Sequence, residues 1–498
     1  MGDGGGDTRE CAPLRRLSET CVQAELDVRE NTAGFCAGWL PEHAPAFSLA
    51  VLFDPYGALR YNKWLRGGEV LTLGRDARHT GLGGVPGAIA PGKWTLRLFT
   101  PAEATAAGGE AAPAQPLAEV RFGEAVPDEP IGDGVCALFD GADIMTDNPP
   151  AAVSSGSAAR PRAGWYKGDF HAHTHLSDGK ESVASAAQKA RRMGLDFYTP
   201  TEHNTAHTAW PDAPPLALPG IEITSERGHF NIIGLTRLPA DFFTPENMDG
   251  GFVRPERMNS ILAYSAGTGA VNSLNHPFLR EWKWDIPDTP LALFHTVEII
   301  CDPTYTFSRE GNERALELWT RLWNDGNTIY GVGGSDSHNL EHERYDGADG
   351  PSIPGDPASW VYCESLTRGE LIRGVKAGHV WVCRGGTKLY PEFWSGGRAF
   401  LPGDRLEAGS GDVLLRCSLR ADGAPEGAYA QWIVNGEIHA EAPLRGSGAS
   451  FSASADAARY TWARVDIRDA SGALYGFVNP VWWGERTGVY RTFAAVTL

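Results

Sequence analysis

No stretch of this chain approaches the roughly 18 consecutive apolar residues that a membrane span requires, so no membrane partner is expected. The opening MGDGGGDTRECAPLRRLSETC lacks the apolar core of a secretory leader, and a cytoplasmic location is the expectation. Basic charge is also short: Lys and Arg number 44 against 62 Asp and Glu, a formal net charge of −18. That balance argues against a surface for phosphate backbones, so no nucleic-acid partner is expected. Cysteine is sparse and scattered (Cys11, Cys21, Cys36, Cys136, Cys301, Cys363, Cys383 and Cys417), with no CxxC pair. Reduced, mostly buried thiols fit that spacing better than a disulfide framework or a zinc knuckle.

The 498 residues exceed one ordinary core and point to a multidomain protein. Residues 1–160 read as an N-terminal β-rich domain. Ala46–Phe53 is a strand candidate running into the turn Asp54-Pro55-Tyr56-Gly57, and Gly92–Phe99 alternates polar and apolar side chains. The segment Pro101–Ala118 reads as a loop insert, and Ala151–Gly164 as a linker. Nothing chemical stands out before that linker. From 165 to 384 strands and helices alternate, with helices expected over Glu181–Met193, Pro255–Ala266 and Glu313–Asn324. Repeated β-then-α units argue for a parallel sheet closed as a barrel. Residues 385–498 turn β again, with strands over Asp412–Leu419, Tyr429–Val434, Tyr460–Arg468 and Leu474–Val478 and a hairpin signal at Asn435-Gly436; a β-sandwich is expected.

The middle region carries the chemistry. Its first strand leads into His171-Ala172-His173, and alternation puts both imidazoles on one side, where they can grip one metal ion. Asp178, in the turn that follows, can reach back with a hard oxygen ligand. His203, Glu222, His276, Asp336 and His338 also fall at or near C-terminal ends of strand candidates, the end that carries chemistry in α/β barrels. Ten of the 14 histidines lie between His171 and His342, and histidines interleaved with carboxylates at successive strand ends are read as a metal cluster.

The pieces HAHTHLSDG (171–179), TEHN (201–204), GIEIT (220–224), GHFN (228–231), NHP (275–277) and GSDSH (334–338) resemble the motifs of the PHP (polymerase and histidinol phosphatase) metallohydrolases, and among them the CehA/McbA-like group. The resemblance covers about Tyr166 to Cys383. It implies a distorted (β/α)7 PHP-type barrel holding two or three divalent ions, flanked by the two β domains. Carried over by position, the implied metal ligands are His171, His173, Asp178, His203, Glu222, His229, His276, Asp336 and His338, with Glu222 bridging. The family usually has Asp before the second-motif histidine, where this chain has Glu202. Glu202 is read as orienting an imidazole rather than as a ligand, and His175 as close to the site without being a ligand.

Imidazoles and carboxylates without a thiolate suit Mn2+, Zn2+ or Fe2+ better than Ca2+ or a structural zinc. Such ions acidify a bridging water and stabilise a developing oxyanion. Asp336 is the candidate for that water's proton, with Glu222 and His338 completing the catalytic group. A Gly-rich phosphate loop is absent, and Gly331, Gly333 and Gly334 are read as allowing close packing beside the metals. For a small-molecule substrate, Arg280 and Lys283 could hold a phosphate, while Trp282 and Trp284 could stack on an aromatic group or simply pack. The long Asn339–Ser359 connection is a lid candidate. His207, His295 and His342 are left as surface or core histidines, and a homo-oligomer is allowed. The expected reaction is hydrolysis of a small phosphate ester; carboxyl-ester or carbamate hydrolysis is the enzymatic alternative, and a catalytically silent scaffold the rival of another class.

Overall fold

The computed structural model describes residues 8–102, 117–123, 126–132, 135–138, 143–145, 160–348, 350–407, 412–444, 448–486 and 488–497. Most of the Pro101–Ala118 insert and of the Ala151–Gly164 linker lies outside the described residues.

The N-terminal strands form two antiparallel sheets. One orders Thr8–Pro13, Leu117–Phe122, Gly34–Trp39 and Leu71–Gly74; the other orders Arg15–Arg16, Cys21–Val28, Gly92–Phe99, Phe47–Phe53 and Leu59–Arg66. The run FSLAVLF shows how this unit docks. Ala50 and Leu52 enter the core between its own sheets, whereas Leu49 and Val51 belong to the central core. A strand covered on both faces needs apolar residues without alternation, which is what this segment has.

The central unit comprises β1 (Gly164–Asp169), α1 (Val183–Arg192), β2 (Phe197–Tyr198), β3 (Gly220–Ser225), β4 (Gly228–Ile233), α2 (Pro255–Ala266), β5 (Val271–Leu274), β6 (Thr296–Cys301), α3 (Ser308–Asp325), β7 (Tyr330–Gly334), β8 (Ala358–Cys363), α4 (Arg368–Lys376) and β9 (Val380–Cys383). Helix α1 is capped by Ser182, whose hydroxyl accepts from the Ser185 amide, and it buries Ala186, Ala187 and Ala190. Helix α3 starts five residues before the expected Glu313, because Ser308 and Gly311 already lie on its buried face. Gly326, left-handed at φ 89°, ends it. Trp319 and Trp323, one turn apart, both donate to the Ile329 carbonyl and tie α3 to the approach of β7.

The expected all-parallel closed barrel is corrected. The central strands divide between two sheets, one ordered β3-β4-β5-β6-β7 and the other containing β2, β1, β8 and β9, and no closed barrel is present among the described residues. Parallel pairing holds for β1–β2, β5–β6 and β6–β7; β3–β4, β4–β5 and β1–β8 are antiparallel. The reason lies in the connection between β3 and β4. Ser225 pairs with Gly228 across a tight turn, and a parallel pair needs a crossover of a dozen residues or more. The two sheets meet at the isolated bridges Ala172–Ser337, just past β1 and β7, and His203–Glu222, which joins the segment after β2 to β3.

The C-terminal strands continue the second sheet. β9 pairs with Leu474–Trp483, followed by Thr461–Arg468, Tyr429–Val434 and Glu437–Pro443. A four-stranded sheet (Arg398–Phe400, Lys388–Ser395, Asp412–Asp422 and Ala449–Asp456) covers one face, and Trp381, Leu389, Leu415, Trp432 and Val465 share the core between the layers. Hydrogen bonding therefore runs unbroken across the change in texture near residue 385. Asn435 and Gly436 both have positive φ, 49° and 87°, in the hairpin turn their sequence signals. Among the described residues no helix is long and apolar enough to cross a membrane. The described cysteines whose side chains are placed are all free, and only Cys11 is exposed.

Candidate metal centre

The site begins where β1 ends. Phe170 and Ala172 turn into the core while His171 and His173 turn the other way, as alternation requires. The segment is stitched to both neighbours: the Asp336 amide donates to the His171 carbonyl (2.8 Å), and the Thr201 amide to the Ala172 carbonyl (2.9 Å). Gly334 allows this approach, since a Cβ there would collide with His171 and with the Glu298 carboxylate. Gly331 and Gly333 serve other packing, against Phe477 and Trp319 and against Val382 and Pro357.

Glu222, fully buried on β3, is the hub. Its Oε1 lies 3.2 Å from His171 Nε2, 3.2 Å from His229 Nδ1 and 3.4 Å from His276 Nε2. Its Oε2 lies 2.8 Å from His203 Nδ1 and 3.5 Å from His173 Nε2. Asp336 Oδ1 forms a second focus, 3.1 Å from His173 Nε2, 3.2 Å from His171 Nε2 and 3.6 Å from His338 Nδ1. Asp178 Oδ1 forms a third, 3.3 Å from His338 Nε2 and 3.6 Å from His203 Nε2. The structure thus brings together all nine residues named from the motifs. Together with Glu298, their donor atoms compose four overlapping groups that could hold an ion: His173, Asp178, His203 and His338; His171, His276 and Glu298; His171, His173 and Asp336; and His203, Glu222 and His229.

A metal fits this donor set. His171 Nε2, His173 Nε2 and Glu222 Oε2 are buried and make no aligned hydrogen bond, only the crowded approaches to other site groups given above, a convergence of lone pairs that a shared cation would satisfy. Electrostatics agree. Burial, with His338 and His203 alongside, pushes His173 down to about 4, leaving a neutral imidazole with one nitrogen lone pair to give. Burial would raise Glu222, but the surrounding imidazoles outweigh it and hold the carboxyl well below its usual range. Burial would likewise lower His338, yet Asp178 and Asp336 lift it to about 10. Backbone strain collects here too, with positive φ at Asn204 (52°), His276 (22°), Asp302 (32°) and Asp336 (48°).

Several site residues lie outside the motifs. Glu298 Oε1 sits 2.8 Å from His171 Nδ1 and its Oε2 accepts from the His276 amide (3.0 Å), so one carboxylate fixes two cluster histidines. Its signal was a lone acid in the apolar strand TVEIIC. Asp302 follows that same strand and lines the cavity over the cluster, about 200 Å³, with Tyr305 and Tyr345. Burial, then Asp336, pushes its carboxyl up to about 6. The strand-end rule that picked out His276 would have found it. Inside the NHP motif, Asn275, given no role from the sequence, donates to Glu222 Oε1 (2.7 Å).

The N-terminal module reaches the site through Leu59–Arg66. Tyr61 and Leu65 face that module's core, while Asn62, Trp64 and Arg66 face the central unit. Trp64 donates its indole N–H to the His203 carbonyl (2.8 Å) and its amide to the Leu176 carbonyl (3.0 Å). Arg66 donates to the carbonyls of Ser177 (2.8 Å), Gly179 (3.3 Å) and His175 (3.4 Å), gripping the turn that carries Asp178. Nothing in LRYNKWLR distinguishes it from any half-buried strand.

Glu202 stays outside the metal-type groups. It accepts from the Thr174 amide (3.1 Å) and from the Ser177 hydroxyl, and the imidazole it holds is His207, at 2.7 Å. His175 faces Glu129 at 3.4 Å, and His295 Nδ1 accepts the Asn272 amide. Of the residues expected at the substrate, Trp282 lines the cavity, whereas Trp284 is corrected: it is 3% exposed, packs edge-on to Phe294 and donates to Ile286 and Thr289. Arg280 lies over the Phe307 ring, 3.2 Å from its centroid, and Lys283 is exposed; neither lines a cavity at the cluster. In the long connection after His338, Tyr345 lines the cavity and the Gly355 amide donates to Asp169 (2.7 Å).

No family model matches this chain, and no curated protein matches it. Among solved structures, a two-domain protein from Bacteroides vulgatus containing a predicted PHP-like metal-dependent phosphoesterase is 14% identical. That match covers 66% of this chain and 99% of the other, at a TM-score of 0.35. A β-glucosidase from Kluyveromyces marxianus is 8% identical over 93% of this chain and 44% of its own, at a TM-score of 0.11. Both scores are too low to carry an argument, and function has to be argued from the site.

Proposed function

We propose that this chain is a metal-dependent hydrolase of the PHP type, CehA/McbA-like, that cleaves a small phosphate ester. It would comprise three units, 1–160, 165–384 and 385–498, the middle one a distorted barrel opened at the junction of its two sheets. The observation that carries the reading is the convergence of nine motif residues on shared carboxylates, with buried imidazole nitrogens that make no aligned hydrogen bond. Two or three divalent ions (Mn2+, Zn2+ or Fe2+) bound there would supply an acidified water and Lewis-acid stabilisation of the developing charge.

The chain's own groups do the rest. Glu222 and Asp336 would each bridge neighbouring positions, since each approaches several imidazoles. Glu298 holds His171 by Nδ1 and so aims Nε2 at the cluster. Asp336 would take the proton of the attacking water, and His338, whose Nδ1–H donates to the Asp336 carbonyl (2.8 Å), is held beside it. The water oxygen bonds to phosphorus, the bond from phosphorus to the leaving oxygen breaks, and a proton ends on the departing alcohol.

Carboxyl-ester or carbamate hydrolysis is the second reading. It is favoured by the lack of any Lys or Arg lining the two cavities at the cluster, among the described residues. Elemental analysis, together with hydrolysis of p-nitrophenyl phosphate and p-nitrophenyl acetate by wild type and His173→Ala, separates the readings. Two or three transition ions per chain with phosphate release lost in the variant supports the phosphoesterase. Metal-dependent acetate cleavage alone moves the assignment to the ester or carbamate hydrolase. A chain without metal and inactive after Mn2+, Fe2+ and Zn2+ are added back is a scaffold.

A further inference from the structure

A second cavity, about 680 Å³, opens beside the cluster and shares Asp178, His203, His229 and Trp282 with the smaller one above it. Its walls come from both the central unit and the N-terminal module. Four aromatic rings line it: Phe47 stacked on Trp64 (centroids 4.5 Å apart), Phe252 at 5.6 Å from Trp64, and Trp282, which is 40% exposed. Beyond the shared Asp178, the charged lining is all acidic: Glu19, Glu226, Asp249 and Glu281. Asp249 is matched by Arg254 at 3.3 Å, whereas Glu19, Glu226 and Glu281, all exposed at the rim, form no ion pair among the described residues. A cavity with aromatic faces and unbalanced carboxylates repels anions and attracts cations, because ring quadrupole and carboxylate act in the same sense.

We propose that this cavity is the leaving-group subsite, and that the group it takes is an organic cation, an alkyl- or arylammonium. The identification as a leaving-group subsite rests on the hydrolase reading above; the binding of the cation does not. A substrate with an ester group at one end and an ammonium at the other would be aligned by the site itself. The metal cluster draws the ester oxygens, the acidic aromatic cavity draws the cationic tail, and the scissile bond lies near Asp178 and His203, which both cavities share. The polarity also accounts for a substrate held without Arg280 or Lys283.

The test is calorimetric titration of the full chain with benzyltrimethylammonium and with benzyl alcohol, a neutral probe carrying the same ring. Wild type, Glu226→Gln/Glu281→Gln and Trp282→Ala are compared, each checked for an unchanged melting temperature. The expected result is ammonium binding roughly tenfold tighter than the alcohol in wild type. That difference should collapse to about twofold in the double variant, and Trp282→Ala should weaken the ammonium severalfold. Equal affinity for the two probes, a difference that survives the double substitution, or no ammonium binding overturns the proposal. Binding is read without turnover, so the two readings fail separately. An inactive chain that binds the ammonium removes the hydrolase and keeps the cation site; an active chain that does not bind it removes only the subsite.

Discussion

The cluster has a closed half and an open half. His171, Glu222 and Glu298 are almost fully buried and line neither cavity, and each sits on or just past a strand of the central sheets. Asp178, His203 and His338 face the cavities, with side chains 45%, 16% and 25% exposed. The closed half is positioned by strand backbone and by carboxylates of the same unit. The open half depends on a turn that another module holds, through Arg66 and Trp64. Ligand geometry can thus be fixed locally where strands converge, but a loop ligand needs support from elsewhere in the chain.

The largest effect should come from Glu222→Gln, because Glu222 touches both halves. Bound metal should fall by at least one ion per chain and hydrolysis by more than ~100-fold, beyond what outer partners of a metal site are worth. Elemental analysis with a rate assay checks this, and retention of full metal content would mean the halves are independent. Next, Glu298→Gln should weaken metal in the closed half by ~10- to 100-fold, while Arg66→Ala should cost the open half ~10-fold. Competition with a chromogenic chelator reads both; equal loss from the two substitutions would erase the distinction. Third, chelation should lower the melting temperature, since an ion at 100 times its Kd stabilises the fold by about 2.7 kcal/mol. Calorimetry should show a smaller drop in Arg66→Ala, whose open half is already loose.

The smallest effect concerns pH. Burial pushes His295, just before β6, from the ordinary 6.5 down to about 4. Between those values the unfolded chain binds a proton the folded chain refuses, so stability is full above 6.5 and is lost as pH falls toward 4. Metal-free His295→Gln should lose less stability than metal-free wild type over that window in urea titrations. An identical pH slope in the two chains would show that His295 carries none of it.

The convergence of the motif residues was legible because few roles other than gripping cations call for histidines and carboxylates at successive strand ends. Helix α1 was legible from its apolar spacing, and α2 spans the expected Pro255–Ala266. The mixed pairing was less so, although the short Ser225–Gly228 turn already precluded a crossover. Glu298 and Asp302 carried a readable signal, an acid in or just after an apolar strand. Arg66 and Trp64 carried none, since what they do is set by a partner segment more than a hundred residues away.

The amino-acid sequence by itself determined which side chains could hold a metal and which segments were strands or helices, because both depend on residue type and near-neighbour spacing. The tertiary structure alone decided that the central strands split into a mixed pair of sheets, that one sheet continues into the C-terminal region, and that the N-terminal module walls the site. Those outcomes depend on which strand edges and apolar faces find each other across long separations, and no local spacing encodes that choice.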